Sequence, residues 1–170
     1  MRRNGATEHL RATEEMEPKT MAQLILDECW PIDAFPVEPS TIAKVLNVRV
    51  SHSKLKEGVV AALLRVLDRP ALIFLNDQLD EGQERFAIAK ALGVLIWRTA
   101  LNEFPPVEIG FEPGVAKESR FASEFATHLL VPDREIQRIN EVSDAQALED
   151  VAEHFGVSRK ILKMLTGATF

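Results

Sequence analysis

Residues 85–94, with the sequence RFAIAKALGV, constrain the fold of this chain more than any other segment. Apolar side chains recur there at the spacing of one helix face, so the pattern predicts a long central helix at about residues 81–101. Lys90 is the one charged residue inside the apolar frame. Taken alone, the segment is compatible with an ordinary amphipathic core helix. The frame comprises Phe86, Ile88, Leu92, Gly93, Leu95 and Ile96.

The same frame occurs in helices that carry the zinc motif H-E-x-x-H. Two His residues at i and i+4 reach one Zn²⁺ there, and the Glu acts as general base toward metal-bound water. In this sequence Lys90 stands at the first His position, Ala91 at the Glu position and Val94 at the second His position. A Lys has a pKa of about 10.4 and is an ammonium without a lone pair at neutral pH, and Ala and Val have no donor atom. The helix therefore supplies no metal ligand.

These residues resemble R-F-x-x-A-H-E-L-G-H, the signature of the ImmA/IrrE family of metallopeptidases. The resemblance extends over about residues 32–132 and includes FASEFATHLLVP at 121–132, which is similar to the family motif E-A-N-x-F-A-x-x-L-L-M-P. The resemblance implies that the Glu that opens this motif is the third metal ligand in the family, and Phe121 stands at its position here. The resemblance implies an α+β fold: a zincin-like helical domain with a small antiparallel β-sheet, in which the helices of the two motifs pack side by side.

The remaining pattern agrees with such a fold. We predict a polar N-terminal arm at 1–19, the zincin-like domain at 20–141 and a helix-turn-helix-like pair at 142–170. Pro and Gly residues at 102–116 indicate a long loop. Further helices are predicted at about 20–30, 40–46, 117–130, 132–140, 145–154 and 158–165, a strand at 48–50, and a hairpin at 59–67 and 71–75.

The predicted C-terminal pair fits A-x-x-x-G-V-S, a helix-turn-helix pattern in which Gly156 allows the turn and Ser158 caps the second helix. Reading DNA requires basic or amide side chains on that second helix. The helix offers Arg159, Lys160 and Lys163, but acidic residues precede them. We favour a helical pair packed on the main domain, and a DNA-binding regulator remains an alternative.

Composition restricts the class of partner and the compartment. The chain has 26 acidic and 20 basic residues and a net charge of −6, which argues against a mainly electrostatic nucleic-acid binder. Its single cysteine, Cys29, suits a reducing cytoplasm. No apolar run reaches the roughly 18 to 20 residues that span a bilayer. We expect a cytoplasmic protein without a cofactor.

Two further features of the chain bear on a metal site. Glu124 and His128 lie four residues apart on one predicted helix, so a relocated site is an alternative, with His52 or Glu118 as third ligand. A solvated pair is the interpretation that we favour. For Lys90 we predict a stem along apolar surface and an ammonium in water.

The sequence thus favours a catalytically inactive pseudo-metallopeptidase that acts as a protein-binding regulator. Active members of the resembled family cleave or relieve transcriptional repressors of phages and mobile elements, which makes a helix-turn-helix repressor the expected partner. This protein would then be an antirepressor or a partner in phage immunity. The predicted docking cleft is lined by the motif helix and residues 102–116, with Trp97, Phe104 and Phe111 as candidate anchors. A divergent metallo-endopeptidase with a relocated metal is the enzymatic alternative.

Overall fold

A computed structural model describes residues 15–66, 68–112, 114–140 and 145–166 of the protein. This part of the chain is α+β, as predicted. Residues 1–14 of the predicted arm lie outside the described residues, as do 167–170 and the predicted domain boundary at 141–142. The elements are α1 (Pro18–Cys29), α2 (Pro39–Val45), β1 (Val48–Ser53), β2 (Val59–Leu64), β3 (Ala71–Asn76), α3 (Glu81–Leu101), β4 (Val107–Gly110), α4 (Lys117–Leu130), α5 (Asp133–Asn140), α6 (Ala145–Phe155) and α7 (Arg159–Thr166).

The four strands form one sheet in the order β1-β3-β2-β4. Strands β2 and β3 pair antiparallel, with Leu63 opposite Ile73, which confirms the predicted hairpin. Strand β4 is antiparallel to β2, but β1 runs parallel to β3, with Val48 opposite Ala71. The prediction of an antiparallel sheet is therefore wrong for β1. The chain crosses from β1 over β3 to β2 before the hairpin returns it, so β1 and β3 point the same way.

Strand β4 corrects the prediction of a long loop at 102–116. Ile109 is buried and Glu108 is exposed, which is the alternation of a half-buried strand. Pro105 and Pro106 stand immediately before the strand, where a missing N–H removes no bond of the ladder. The strand has only four residues, and Pro and Gly residues surround it, so the sequence pattern indicates a loop at this place.

Helix α3 lies between the sheet and α4. A capping box starts the helix: the backbone N–H of Gln83 donates to Asp80 at 2.8 Å, and that of Asp80 donates to the Gln83 side chain at 3.0 Å. Every residue from Phe86 to Val94 is buried, so the middle of the helix is enclosed on all sides.

Helices α3 and α4 pack tightly against each other at Gly93. A Cβ atom added there would lie 2.9 Å from Ala122 Cα and 3.0 Å from Phe125 Cδ1. Since real Cβ atoms do not come this near to backbone carbon, only Gly allows the two helices to pack at this distance. The prediction that the two motif helices lie side by side is confirmed.

The C-terminal pair packs on the body of the protein. Gly156 has φ +60 and forms the turn, and the Ile161 N–H donates to Ser158 Oγ at 3.4 Å. The ring of Phe155 meets the ring of Phe35 edge-on, with 4.8 Å between centroids. Helix α7 also contacts α4 and α5.

Candidate functional site

The side chain of Lys90 is buried at the centre of the region that the sequence analysis identified. Its residue exposure is 1%, so the prediction that its ammonium reaches water is wrong. The Nζ atom donates to three backbone carbonyl oxygens: Gly110 at 2.9 Å, Phe111 at 3.3 Å and Glu112 at 2.8 Å. An ammonium has three N–H donors, so these three acceptors match its full hydrogen-bonding capacity.

The three acceptors belong to the end of β4 and the residues that follow it. Strand β4 pairs with β2 at Gly110, which brings this backbone alongside the middle of α3. The carbonyl groups of three successive residues turn toward Lys90 and form an oxygen-lined cradle for a cation. The cation in this cradle is the ammonium group of Lys90 itself.

The surroundings of Lys90 act on its pKa in opposite directions. Burial lowers the pKa to about 8, and the nearby Glu112 carboxylate acts to raise it. The carbonyl cradle favours the charged form, because a neutral amine has two N–H groups and presents a lone pair to the third acceptor. Lys90 is therefore an ammonium at neutral pH.

The other three positions that the resemblance assigns to the zinc motif are apolar and buried. Ala91 is 0%, Val94 3% and Phe121 5% exposed, and all belong to one core cluster. The ring of Phe121 also packs against that of Trp97, with 5.2 Å between centroids. A zinc ion requires lone-pair donors at these positions, so the residues present do not fit the metal.

The residues proposed for a relocated metal site do not come together. Glu118 receives two bonds from Arg98, at 2.8 and 3.0 Å, and His52 Nε2 lies 2.7 Å from Glu84 Oε1. His128 is half-buried, and burial lowers its pKa. Within the described residues there is no group of three His, Cys, Asp or Glu side chains that could hold a metal.

The three candidate partner anchors lie in different surroundings, and each is half-buried. Trp97 packs on Phe121, and Phe111 packs on Phe86 with 5.1 Å between ring centroids. Phe104 lies beneath the guanidinium group of Arg65. The three rings therefore do not form a single cluster, and their role in binding a partner stays a prediction.

One charged cluster near the site was missed by the sequence analysis. The side chain of Arg85 is 12% exposed and forms ion pairs with Glu38, at 2.8 Å, and with Glu81. This cluster ties the start of α3 to the segment before α2. Arg85, the first residue of the motif, was visible in the sequence as a charged group beside the apolar frame. Its partner Glu38 lies 47 residues away, so no local pattern could predict the ion pair.

The basic residues of the C-terminal pair have acidic partners. Arg159 forms an ion pair with Glu149, and Lys160 forms one with Glu112. Lys160 also lies 5.4 Å from the centroid of the Phe111 ring. These two cations therefore do not present an unpaired basic face to DNA.

Comparisons with known proteins identify the family. The profile of the IrrE N-terminal-like domain, a peptidase family, matches residues 43–165. The match covers most of the chain, so the protein belongs to this family, and the matched region includes all but the end of the C-terminal pair. No curated protein matches the sequence.

A solved structure described as a Mycobacterium tuberculosis transcriptional regulator is similar to this protein, with a TM-score of 0.54 and 14% sequence identity. The similarity covers 93% of this chain and 48% of the other, so this chain spans about half the length of that protein. At this identity the similarity shows a shared fold. None of the helices in the described ranges is long and apolar enough to cross a membrane.

Proposed function

We propose that the protein is a catalytically inactive, metal-free member of the IrrE-like family that acts by binding another protein. The observation that carries this proposal is the ammonium of Lys90, held by three carbonyl oxygens at the first metal-ligand position. A fixed positive charge there repels a metal dication, and the repulsion is strong in a buried site.

The chemistry of hydrolysis supports the same conclusion. A zinc peptidase needs metal-bound water and a general base to activate it. Ala91 replaces the base, Val94 and Phe121 replace two ligands, and all three are buried in the core. The described part of this site has no group that could take over either role.

The retained fold supports a binding function. A fold and its active site are separable, so a chain that loses its chemistry can keep its docking surface. Active members of the ImmA/IrrE family cleave or relieve transcriptional repressors. A helix-turn-helix repressor of a phage or mobile element is accordingly the proposed partner, and the protein would act as an antirepressor or immunity partner.

Metal analysis of untagged protein tests the first part of the proposal. We expect far less than one zinc per chain and no cleavage of a repressor substrate, with an active relative that retains H-E-x-x-H as positive control. Stoichiometric zinc that is lost together with cleavage on chelation would overturn the proposal.

The binding function needs a separate measurement. Purified repressor, encoded beside this gene in its host, should bind the protein in calorimetry and remain intact after long incubation. The operator affinity of the repressor should fall when the protein is added. A repressor that neither binds nor changes its operator affinity would refute the regulatory role.

A further inference from the structure

An apolar groove lies beside the C-terminal half of α3. It has a volume of about 530 Å³ and lies between α1, α3 and the ends of the strands. Its floor includes Met21, Ile25, Leu95 and Ile96, all of them partly buried and packed on the core. The floor of the groove is therefore an apolar surface whose side chains are already held in place by the core.

Among the described residues, the charged side chains that line this groove are positive. Arg65 and Arg69 are its ionised lining residues, although the chain as a whole has a net charge of −6. Arg65 is held in place: its Nη1 donates to Thr99 Oγ1 at 2.9 Å, and its guanidinium carbon lies 4.1 Å from the centroid of the Phe104 ring. The cation is thus oriented before any partner arrives.

A second pocket of about 290 Å³ adjoins the first, because Met16 lines both. It has Trp97 and Phe121 as apolar lining, Lys117 and Arg120 as cations, and Glu124 as its acid. We call the two pockets together the basic groove. The described residues of its lining include four cationic side chains and one carboxylate.

We propose that the basic groove binds an amphipathic helix of a partner protein, with an apolar face flanked by Asp or Glu. The apolar floor requires an apolar face on the partner helix. Arg65 and Arg69, which we call the arginine rim, require carboxylates on that helix, because Arg binds a carboxylate in a bidentate manner. The walls formed by α1 and α3 use their backbone groups within the helices, so they offer an extended peptide no ladder to pair with. This inference rests on the proposed function and specifies the partner's chemistry.

Two designed peptides test the proposal. Both carry Leu at i, i+3, i+4 and i+7; one has Glu on the flanks of this face and the other has Lys. In fluorescence anisotropy at low salt we expect the Glu peptide to bind about tenfold tighter, because its carboxylates meet the arginine rim. High salt should reduce this difference, because it screens the exposed charges.

Variants locate the binding. The double variant Arg65→Glu and Arg69→Glu should remove the preference for the Glu peptide. Lys54→Glu with Lys56→Glu makes the same change of net charge outside the groove and should leave the preference intact. Should the double variant fail to fold, Arg69→Glu alone, at an exposed residue, should still weaken binding of the Glu peptide. Equal binding of the two peptides, or an unchanged preference in the arginine variants, would overturn the proposal.

If the basic groove binds a second copy of the protein or a segment of its own chain, the measurements will differ from those expected for a partner helix. Self-association in sedimentation that the arginine variants abolish would assign the groove to a second copy and overturn the proposal. Much tighter peptide binding after removal of residues 1–14 would assign it to this segment and overturn it likewise. A repressor that binds wild type and the arginine variants equally refutes the groove alone, whereas zinc-dependent cleavage refutes the proposed function.

Discussion

The Nζ atom of Lys90 lies 2.9 Å from the carbonyl oxygen of Gly110, the last residue of β4. This bond joins the middle of the central helix to the edge strand of the sheet, at the position that the resemblance assigns to the first metal ligand. The carbonyl oxygens of Phe111 and Glu112 accept the other two hydrogen bonds of the ammonium. The ammonium therefore attaches the strand to the helix.

The pH dependence of stability should report Lys90 directly. Its pKa is about 8 in the folded protein against an ordinary value of 10.5, so between these pH values the unfolded chain holds a proton that the folded chain has released. Stability rises with pH wherever the unfolded state binds more protons. The free energy of unfolding of wild type, relative to Lys90→Met, should be constant below pH 8 and rise up to about pH 10.5.

Denaturant titrations of both proteins across this range make the measurement. The difference between them cancels the other titrating groups, and the chain has no tyrosine. A constant difference up to pH 10.5 would mean that the carbonyl cradle holds the ammonium against the effect of burial.

Gly93→Ala should destabilise the protein by about 1–3 kcal/mol, because its Cβ overpacks the contact between α3 and α4. The added atom would lie 2.9 Å from the Cα of Ala122. Gly82→Ala in the first turn of the same helix is the matched control. Its nearest contacts are 3.5 Å and 3.6 Å, so we expect no loss. Thermal melts that show equal stability for the two variants would contradict this packing.

Phe121→Ala should lower the free energy of unfolding by about 3–5 kcal/mol, as expected for removal of a buried Phe side chain. Phe121 is 5% exposed, and its ring packs at a tilt against that of Trp97. Phe104→Ala removes a half-buried ring and should cost clearly less. If the two variants lose equal stability in urea titrations, Phe121 does not fill the space of the missing ligand.

Restoring the motif should restore zinc binding. The variant with Lys90→His, Ala91→Glu, Val94→His and Phe121→Glu places the family's ligands and base on two helices that pack together. We expect measurable but weak affinity in calorimetry, because groups that orient the ligands are not restored. The metal-free variant should be less stable than wild type, since polar groups replace buried apolar ones.

The control for this variant keeps Lys90 and changes only the other three positions. It should bind no zinc, because it has only two of the three ligands and keeps the ammonium at the position of the third. Zinc binding by this control, or none by the complete variant, would contradict the assignment of Lys90 to a ligand position.

The outcome for Lys90 shows where prediction from sequence ends. The spacing of apolar residues correctly placed a long helix around it, but a lone Lys in such a helix is usually a snorkelling side chain. The acceptors are 20 to 22 residues further along the chain, in a segment predicted as a loop. No local pattern links a Lys to backbone carbonyl groups, since every residue has one.

The sequence by itself determined the family, the α+β class, the helices, the β2–β3 hairpin and the loss of the motif's donor atoms. These depend on residue type and short-range periodicity, which are properties of neighbouring residues. Only the tertiary structure decided the parallel β1–β3 pairing, the strand β4 and the burial of Lys90 among three carbonyl groups. These depend on which distant segments meet, and that is set by packing across the whole core rather than by any one segment.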